Sequence, residues 1–555
     1  MAESTRSSER RPLGECCSRL PTGVRWPPAA GPFSFPADGT AFRLRAVPNP
    51  VMPTGRVSFS NLRERIRRRL ADETGRIARQ APFTVALCYP SPYRVGMSSL
   101  GFQRVYRALM EAPGLACERA FLDDECEDDA ARRPEHPITY ESLRPIDELP
   151  VLAFSVAYEL EIAGVVRMLQ AAGIPPRRID RDARHPLVIA GGPLTFSNPM
   201  PLAAIVDAIV VGEADTRSID VVRAAEQGKS RFAQLDALAK IAHVFVPTHH
   251  AVLPPVGAEH DAVLPAYSAI RTPHTELSGM FLVETERGCS RGCTYCVMRR
   301  STNGGMRIVP EDVILGVIPD DARRVGLVGA AVSDHPKIVS IVNALADRGC
   351  EVGLSSLRPD RLASNEDFVA ALARVGYRTL TTAMDGTSER IRELLERRAR
   401  PKHLLRCAEL AKKHGMDRLK AYLMIGTPGE TDADVDECVA LTTELSRIVP
   451  VALGIAPFCP KRNTPLDGEP FAGIDVVDAR LARLRRGLKG RADVRATSAR
   501  WAWVEYVLAQ GGEPEGLAVI DAVDHGGSFR AYANAFAPLG KARRVLPMAA
   551  GAPLV

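Results

Sequence analysis

Short apolar runs alternate with helical segments twice along this 555-residue chain, and that alternation restricts the fold more than any other feature. In the first series, residues 84–89, 151–156, 187–190 and 208–211 are near-continuous stretches of aliphatic and β-branched side chains, with helical segments such as 99–112 and 159–172 between them. A strand that is apolar on both faces must be covered on both, so runs of this kind with helical crossovers predict a doubly wound, Rossmann-like parallel sheet. The second series starts at residue 281 with a longer period. Its runs lie at 281–285, 325–329, 351–355, 380–384, 419–425 and 451–456, six strands with five helical segments between them. Parallel sheets bind ligands at the carboxyl ends of their strands, so the residues at those ends are the candidates for function.

One strand end carries most of the chemistry. Residues 284–300 read ETERGCSRGCTYCVMRR, with Cys289, Cys293 and Cys296 spaced C-x3-C-x2-C and Tyr295 just before the third. Three thiolates on one loop hold three irons of a cubane cluster and leave the fourth iron open. Ferredoxin-type carriers use four cysteines, because an electron carrier needs no open iron. Arg287, Arg291, Arg299 and Arg300 surround the loop, and positive charge favours thiolate over thiol. A zinc knuckle or three buried structural cysteines are the other readings. Zinc sites draw four ligands from paired clusters, and no second pair stands here.

The stretch resembles the cluster loop of the radical S-adenosylmethionine (SAM) superfamily, C-x3-C-x-aromatic-C. The resemblance implies a 4Fe–4S cluster on Cys289, Cys293 and Cys296, SAM on the open iron, and reductive cleavage of SAM to methionine and a 5′-deoxyadenosyl radical. It implies a (βα)6 partial TIM barrel over residues 281–465 and an external reductant such as flavodoxin or ferredoxin. Carried over to this chain, the SAM contacts are Tyr295 and the Gly329-Ala330-Ala331 segment, which has no acidic residue of its own and Ser333 or Asp334 as helpers. Ser355, Ser356 and Arg358 follow at the third strand end, and Asp385 at the fourth, where many relatives read Glu-x-Gly. Ile425, Gly426 and Glu430 of YLMIGTPGE complete the set. Cys459, after the sixth strand, reads as a hydrogen-atom relay or as a small packing residue.

The first α/β unit resembles the cobalamin-binding domain that precedes the radical SAM core in many members. Ser155 ends one strand, and the succession Gly191, Gly192, Pro193, Asp207, Gly212, Glu213 matches those proteins. By that resemblance Ser155, Gly191, Gly192, Gly212 and Glu213 contact cobalamin. The usual D-x-H-x-x-G is absent after the first strand, where residues 88–101 read CYPSPYRVGMSSLG; that removes His ligation of cobalt. The function implied is methylation of an unactivated position by a cobalamin-dependent transferase. A cobalamin-independent radical reaction (sulfur insertion, rearrangement or dehydrogenation), a non-catalytic cobalamin or iron–sulfur sensor, and a purely structural Rossmann-like domain stay open.

The remaining segments bound the domains. Residues 1–55 mix Pro, Arg, Ser and Gly without periodicity and read as a disordered leader, or as sequence upstream of a start at Met52. A basic helix within 56–80 should carry its charges on a solvated face. The Rossmann-like domain is expected over 81–225, a connector over 226–280, and a small α-rich extension over 466–555. His243, His249 and His250 of the connector have no acidic partner nearby in sequence and read as packing or surface residues. Twelve cysteines without paired spacing or a secretory signal suit a reducing, cytoplasmic setting. No apolar run approaches the ~18 residues of a membrane span. A net charge of +6 neither implies nor excludes nucleic acid, and no nucleic-acid-binding module is recognisable.

Overall fold

The computed structural model describes residues 59–540, apart from Glu127, Asp128, Ala130, Ser301, Asn303, Ser355 and Ser356. The leader at 1–55, the start at Met52 and the Ser355 and Ser356 assignments therefore lie outside the described residues.

The first apolar series folds as a six-stranded sheet: β1 (Phe83–Tyr89), β2 (Leu115–Phe121), β3 (Val151–Ser155), β4 (Leu187–Gly191), β5 (Ala208–Val210) and β6 (Val244–Phe245). Their order is β2-β1-β3-β4-β5-β6, parallel except for β6, which runs antiparallel to β5. Successive side chains of a strand face opposite ways, and β1 shows it. Val85, Leu87 and Tyr89 pack with Phe102, Tyr106 and Leu109 of the helix Leu100–Glu111, while Ala86 and Cys88 join Ile162, Val165 and Leu169 of the helix Ile162–Ala171.

Three features differ from the sequence reading. β2 reads LACERAF, with charge at its centre, yet Arg119 is buried there. It donates to both Glu73 oxygens at 2.7 and 2.9 Å and from Nε to Glu141 at 2.6 Å, so the ion pairs offset desolvation. β6 comes from the expected connector, as does the helix Arg231–Ala239, which Gly228 separates from the helix Arg217–Gln227. The basic helix, Phe59–Ala71, is not simply solvated: Ile66 is buried, Arg65 donates to Asp123 at 2.9 Å and Arg69 to Asp124 at 2.7 Å.

The second series forms β7 (Phe281–Glu284), β8 (Glu286–Arg287), β9 (Arg307–Ile308), β10 (Arg324–Val328), β11 (Glu351–Leu354), β12 (Thr379–Asp385), β13 (Arg418–Ile425), β14 (Val451–Pro457) and β15 (Ala492–Ala496). Two parallel sheets result, β11-β10-β7 and β12-β13-β14-β15, joined by a parallel bridge between Leu357 and Thr382; β8 and β9 pair separately. The helices Ile338–Asp347, Glu366–Arg374, Pro401–Lys413 and Asp432–Ser446 share one apolar core with these strands.

The last helices, Ala499–Gln510, Glu513–Asp524 and Phe529–Phe536, give that core only Ala499. Val504, Leu508, Val519, Tyr532 and Phe536 lie in the same cluster as Val165 and Leu202 of the first domain. Trp501 and Trp503 meet Tyr532 and Phe529 edge-on. Among the described residues no helix is long and apolar enough to cross a membrane.

Candidate functional site

The cysteine loop is clamped between the two α/β units by ion pairs. Arg287 of β8 donates to both oxygens of Glu284 at 2.7 and 2.8 Å, to Asp215 at 2.8 and 3.2 Å and to Glu213 at 3.1 Å. Asp215 also accepts from Arg104 at 3.0 Å. Burial would raise the Asp215 carboxyl, but Arg287 and Arg104 outweigh it and hold the group below the usual carboxylate range. Glu213 accepts from the Glu259 amide at 2.9 Å and pairs with Arg307, so its carboxylate is fully engaged.

Gly288 then turns the chain at φ +82°, where a Cβ would lie 2.1 Å from the Gly305 carbonyl oxygen; only glycine fits. Cys293 is buried, whereas Cys289 and Cys296 are partly exposed. Burial pushes all three thiols up, Cys296 to about 12; Cys293 adds to the shift of Cys289, and both add to that of Cys296. Arg397 opposes this. Its guanidinium hydrogen-bonds Cys293 and pairs through Nε with Asp385 at 2.6 Å. Asp385 itself sits at φ +65°, at the bulged end of β12, a left-handed backbone that a non-glycine residue adopts at a cost. Tyr295 is enclosed among Cys293, Cys296, Asp385 and Arg397. Three neighbouring thiols with one guanidinium fit the donor set of a cluster carrying negative charge. Among the described residues, no three His, Cys, Asp or Glu side chains converge in the manner of a single-ion site.

Beside this loop lies a cavity of about 390 Å³ between the two domains. Ser155, Gly191, Gly192, Gly212 and Glu213, at the ends of β3, β4 and β5, line one side; Gly329, Ala330, Val297 and Met298 line the other. The cavity continues as an apolar slot between the first sheet and its helices, walled by Leu87, Ile189 and Val210 against Val105, Leu109 and Val221. Gly192 has φ +104° and a Cβ there would meet the Val156 carbonyl oxygen at 2.7 Å. Gly101 opens directly onto space.

Two buried acids face this cavity. Glu286 accepts a hydrogen bond from the Ala331 amide at 2.7 Å and another from the Thr285 hydroxyl, and burial pushes its carboxyl up to about 8 despite both donors. A Cβ on Gly329 would lie 2.0 Å from Glu286 Oε1, so the glycine makes room for this carboxyl. Glu161 accepts from Ser91 Oγ at 2.9 Å and the Ala157 amide at 2.6 Å, and burial lifts it to about 7.

A family model for the N-terminal part of radical SAM proteins matches residues 101–247, and the radical SAM superfamily model matches residues 283–442. The chain belongs to the radical SAM superfamily. An uncharacterized protein of Methanocaldococcus jannaschii is 26% identical over 406 residues, 70% of this chain and 80% of that one. Among solved structures, the cobalamin-dependent SAM radical enzyme OxsB with aqua-cobalamin bound aligns with 66% of this chain and 53% of its own, at 10% identity and a TM-score of 0.45. Methylornithine synthase aligns with 41% and 68%, at 11% identity and a TM-score of 0.28. The chain thus spans about half the length of OxsB, and scores at this level support no inference about fold or reaction.

The other residues assigned from the radical SAM resemblance fall in different places. Gly329 and Ala330 reach the cavity, and Ala331 reaches it through its amide on Glu286. Arg358 is occupied by Asp334 at 2.9 Å and Asp360 at 2.6 Å. Glu430 closes its own turn: it accepts from the Gly426 amide at 2.6 Å, from Thr387 at 2.6 Å and from Arg480 at 2.9 Å. Gly426 takes φ +79° in that turn, directly after the buried Ile425. Cys459 donates to the Ala502 carbonyl at 3.1 Å beside Lys461, Glu159 and Glu505, away from the cavity. His250 accepts from the Val246 amide at 3.0 Å, and His243 contacts the Pro255 carbonyl at 2.8 Å. Sequence reasoning missed Glu286 and Arg397. The trace of Glu286 was the run of small residues at 329–331, which leaves room for a neighbouring strand's side chain; Arg397, within ERRARPK, left no trace.

Proposed function

We propose that this chain is a SAM-cleaving radical enzyme acting on a substrate held between its two α/β domains. The observation that carries the reading is the cavity shared by the cysteine loop, the Gly329–Ala330 strand end and the carboxyl ends of β3, β4 and β5. Cys289, Cys293 and Cys296 would hold a 4Fe–4S cluster, which supplies the electron that splits bound SAM into methionine and a 5′-deoxyadenosyl radical. Glu286 supplies the acid that Gly329-Ala330-Ala331 lacks. It is buried at the cavity wall without an ion pair among the described residues, so a ligand ammonium group is its natural counter-charge. Arg397 lends positive charge to the Cys293 sulfur, and Asp385 fixes the guanidinium. The apolar walls exclude water from the reacting carbon.

The finer reading is cobalamin-dependent methylation, favoured by the apolar slot that opens at Gly191 and Gly212. A flat apolar group of such a ligand would fill the slot, and filling it would remove the cost of an empty apolar void within a domain core. A cobalamin-independent radical reaction is favoured by a different observation: about 390 Å³ is near the small end of ligand pockets, and Glu213 is already committed to arginines. Anaerobic reconstitution with iron, sulfide, SAM and reductant tests the main reading, which expects 5′-deoxyadenosine; none formed by a cluster-loaded sample would refute it. The same assay with added cobalamin separates the finer ones. S-adenosylhomocysteine appearing with 5′-deoxyadenosine identifies methylation, and 5′-deoxyadenosine alone identifies the cobalamin-independent reaction.

A further inference from the structure

Of the arginines that surround the cysteine loop in sequence, three have their guanidinium groups engaged by oxygen. Arg287 is held by Glu213, Asp215 and Glu284, Arg291 donates to Asp334 at 3.2 Å, and Arg299 donates to the Gly292 carbonyl at 3.2 Å. The guanidinium that donates to a cysteine sulfur is that of Arg397, from the segment after β12. Separate contacts fix it there. The Thr294 amide and hydroxyl donate to the carbonyls of Leu395 and Leu394 at 3.2 and 3.4 Å, so the cysteine loop is docked on the segment that carries Arg397. The Arg397 amide donates to the Arg392 carbonyl at 2.7 Å, and its Nη2 donates to the Ala383 carbonyl at 3.3 Å. Nε stands 2.6 Å from Asp385, and the two side chains are only 13% and 15% exposed. Asp385 has φ +65° and Glu396, just before the arginine, φ +50°. Two left-handed residues of types other than glycine, one at each side of a single ion pair, are held only where the surroundings over-determine them.

We infer that Arg397 and Asp385 set the reduction potential of the cluster in opposite senses, the guanidinium raising it and the carboxylate lowering it; the inference rests on the cluster proposed above. Neither residue touches a reacting atom, and both act through the Cys293 sulfur, so they are positioning residues. A cluster on three thiolates is negatively charged, and one-electron reduction adds to that charge. A cation on a ligand sulfur therefore stabilises the reduced form more than the oxidised one, and an anion beside the cation takes part of this back. The pair is nearly enclosed, where solvent screens it little, so neither charge is lost to water. The same two signs already show on the thiols: Arg397 favours the thiolate forms of Cys289 and Cys293, while Asp385 disfavours those of Cys293 and Cys296. Asp385, expected at the SAM site from its place at a strand end, is thereby assigned to the cluster instead.

The test is a potentiometric titration of the full chain, its cluster reconstituted anaerobically and no SAM added, with dithionite as the electron source and the reduced cluster read by electron paramagnetic resonance. Wild type is compared with Arg397→Gln, Arg397→Lys and Asp385→Asn. Asparagine tolerates the left-handed backbone at least as well as aspartate, so the last variant removes the charge and leaves the turn. Arg397→Gln should have a reduction equilibrium constant about tenfold lower, about 59 mV for one electron, and Asp385→Asn should move by a similar factor the other way. Arg397→Lys keeps the charge without the planar fork and should lie between wild type and Arg397→Gln. A merely structural pair predicts something else: loosening the loop in either variant lets in water and shifts both potentials in one direction. Both potentials within twofold of wild type in the constant, or both shifted the same way, would overturn the inference. So would an unchanged potential in Arg397→Gln together with weakened SAM binding in equilibrium dialysis, which would make the arginine a SAM contact. Should Arg397→Gln load no iron, Asp385→Asn decides alone, and a potential that does not rise refutes the pair. A wild type that holds no iron would refute the cluster itself and the inference with it, an outcome distinct from a loaded cluster whose potential ignores both residues.

Discussion

Glu286 and Glu161 are buried carboxyl groups that face one cavity and have no ion pair among the described residues, and each makes its own prediction. In Glu161 the folded state raises the pKa to about 7, from an ordinary value of about 4.3. Below that lower value both states are protonated. Between the two, only the unfolded chain gives up its proton, so stability falls as pH climbs through this window and levels off above about 7. Glu161→Gln cannot titrate, so its stability should gain on wild type from pH 5 to pH 7; urea unfolding across that range checks it, and parallel curves would be evidence against it. Glu286→Gln should keep the iron content of the reconstituted protein but bind SAM about tenfold or more weakly, the cost of losing a charge-assisted hydrogen bond. Equilibrium dialysis measures this, and unchanged affinity would remove Glu286 from the SAM site.

Strands with plain composition were legible from sequence, and those with charged residues were not. The four runs expected in the first unit appear as β1, β3, β4 and β5, and the six in the second as β7 and β10 to β14. β2 escaped because Glu118 and Arg119 break its apolar pattern, although Glu73 and Glu141, distant in sequence, neutralise the arginine in place. β15 escaped because Asp493 and Arg495 give it the look of a loop, which an edge strand can tolerate. The three cysteines were legible from their spacing, and the residues lining the cavity from their positions at strand ends. Glu286 and Arg397 were not, since their roles come from contacts across strands. The clamp on β8 belongs to the same class, joining residues from 104 to 307. Asp215→Ala should leave Arg287 and Arg104 short of a buried partner at a cost of about 3–5 kcal/mol. Guanidinium unfolding reads it, and a loss below about 1 kcal/mol, the range of surface pairs, would mean that the clamp is solvated.

The two α/β units and the C-terminal helices form one structure in which each part completes another. The helices after residue 499 supply Val504, Val519 and Phe536 to the core of the first domain, and Asn198 of that domain donates to the carbonyls of Leu508, Ala509 and Gly511 at 3.1, 3.1 and 2.8 Å. This arrangement holds the first sheet's strand ends over the cysteine loop, with the cavity between them. Whether a cluster forms there at all is decided by iron and acid-labile sulfide analysis of the anaerobically reconstituted chain, beside a Cys289→Ala, Cys293→Ala, Cys296→Ala variant. About four irons per chain in the wild type and none in the triple variant are expected; an iron-free wild type, or a triple variant that keeps its iron, would contradict the account.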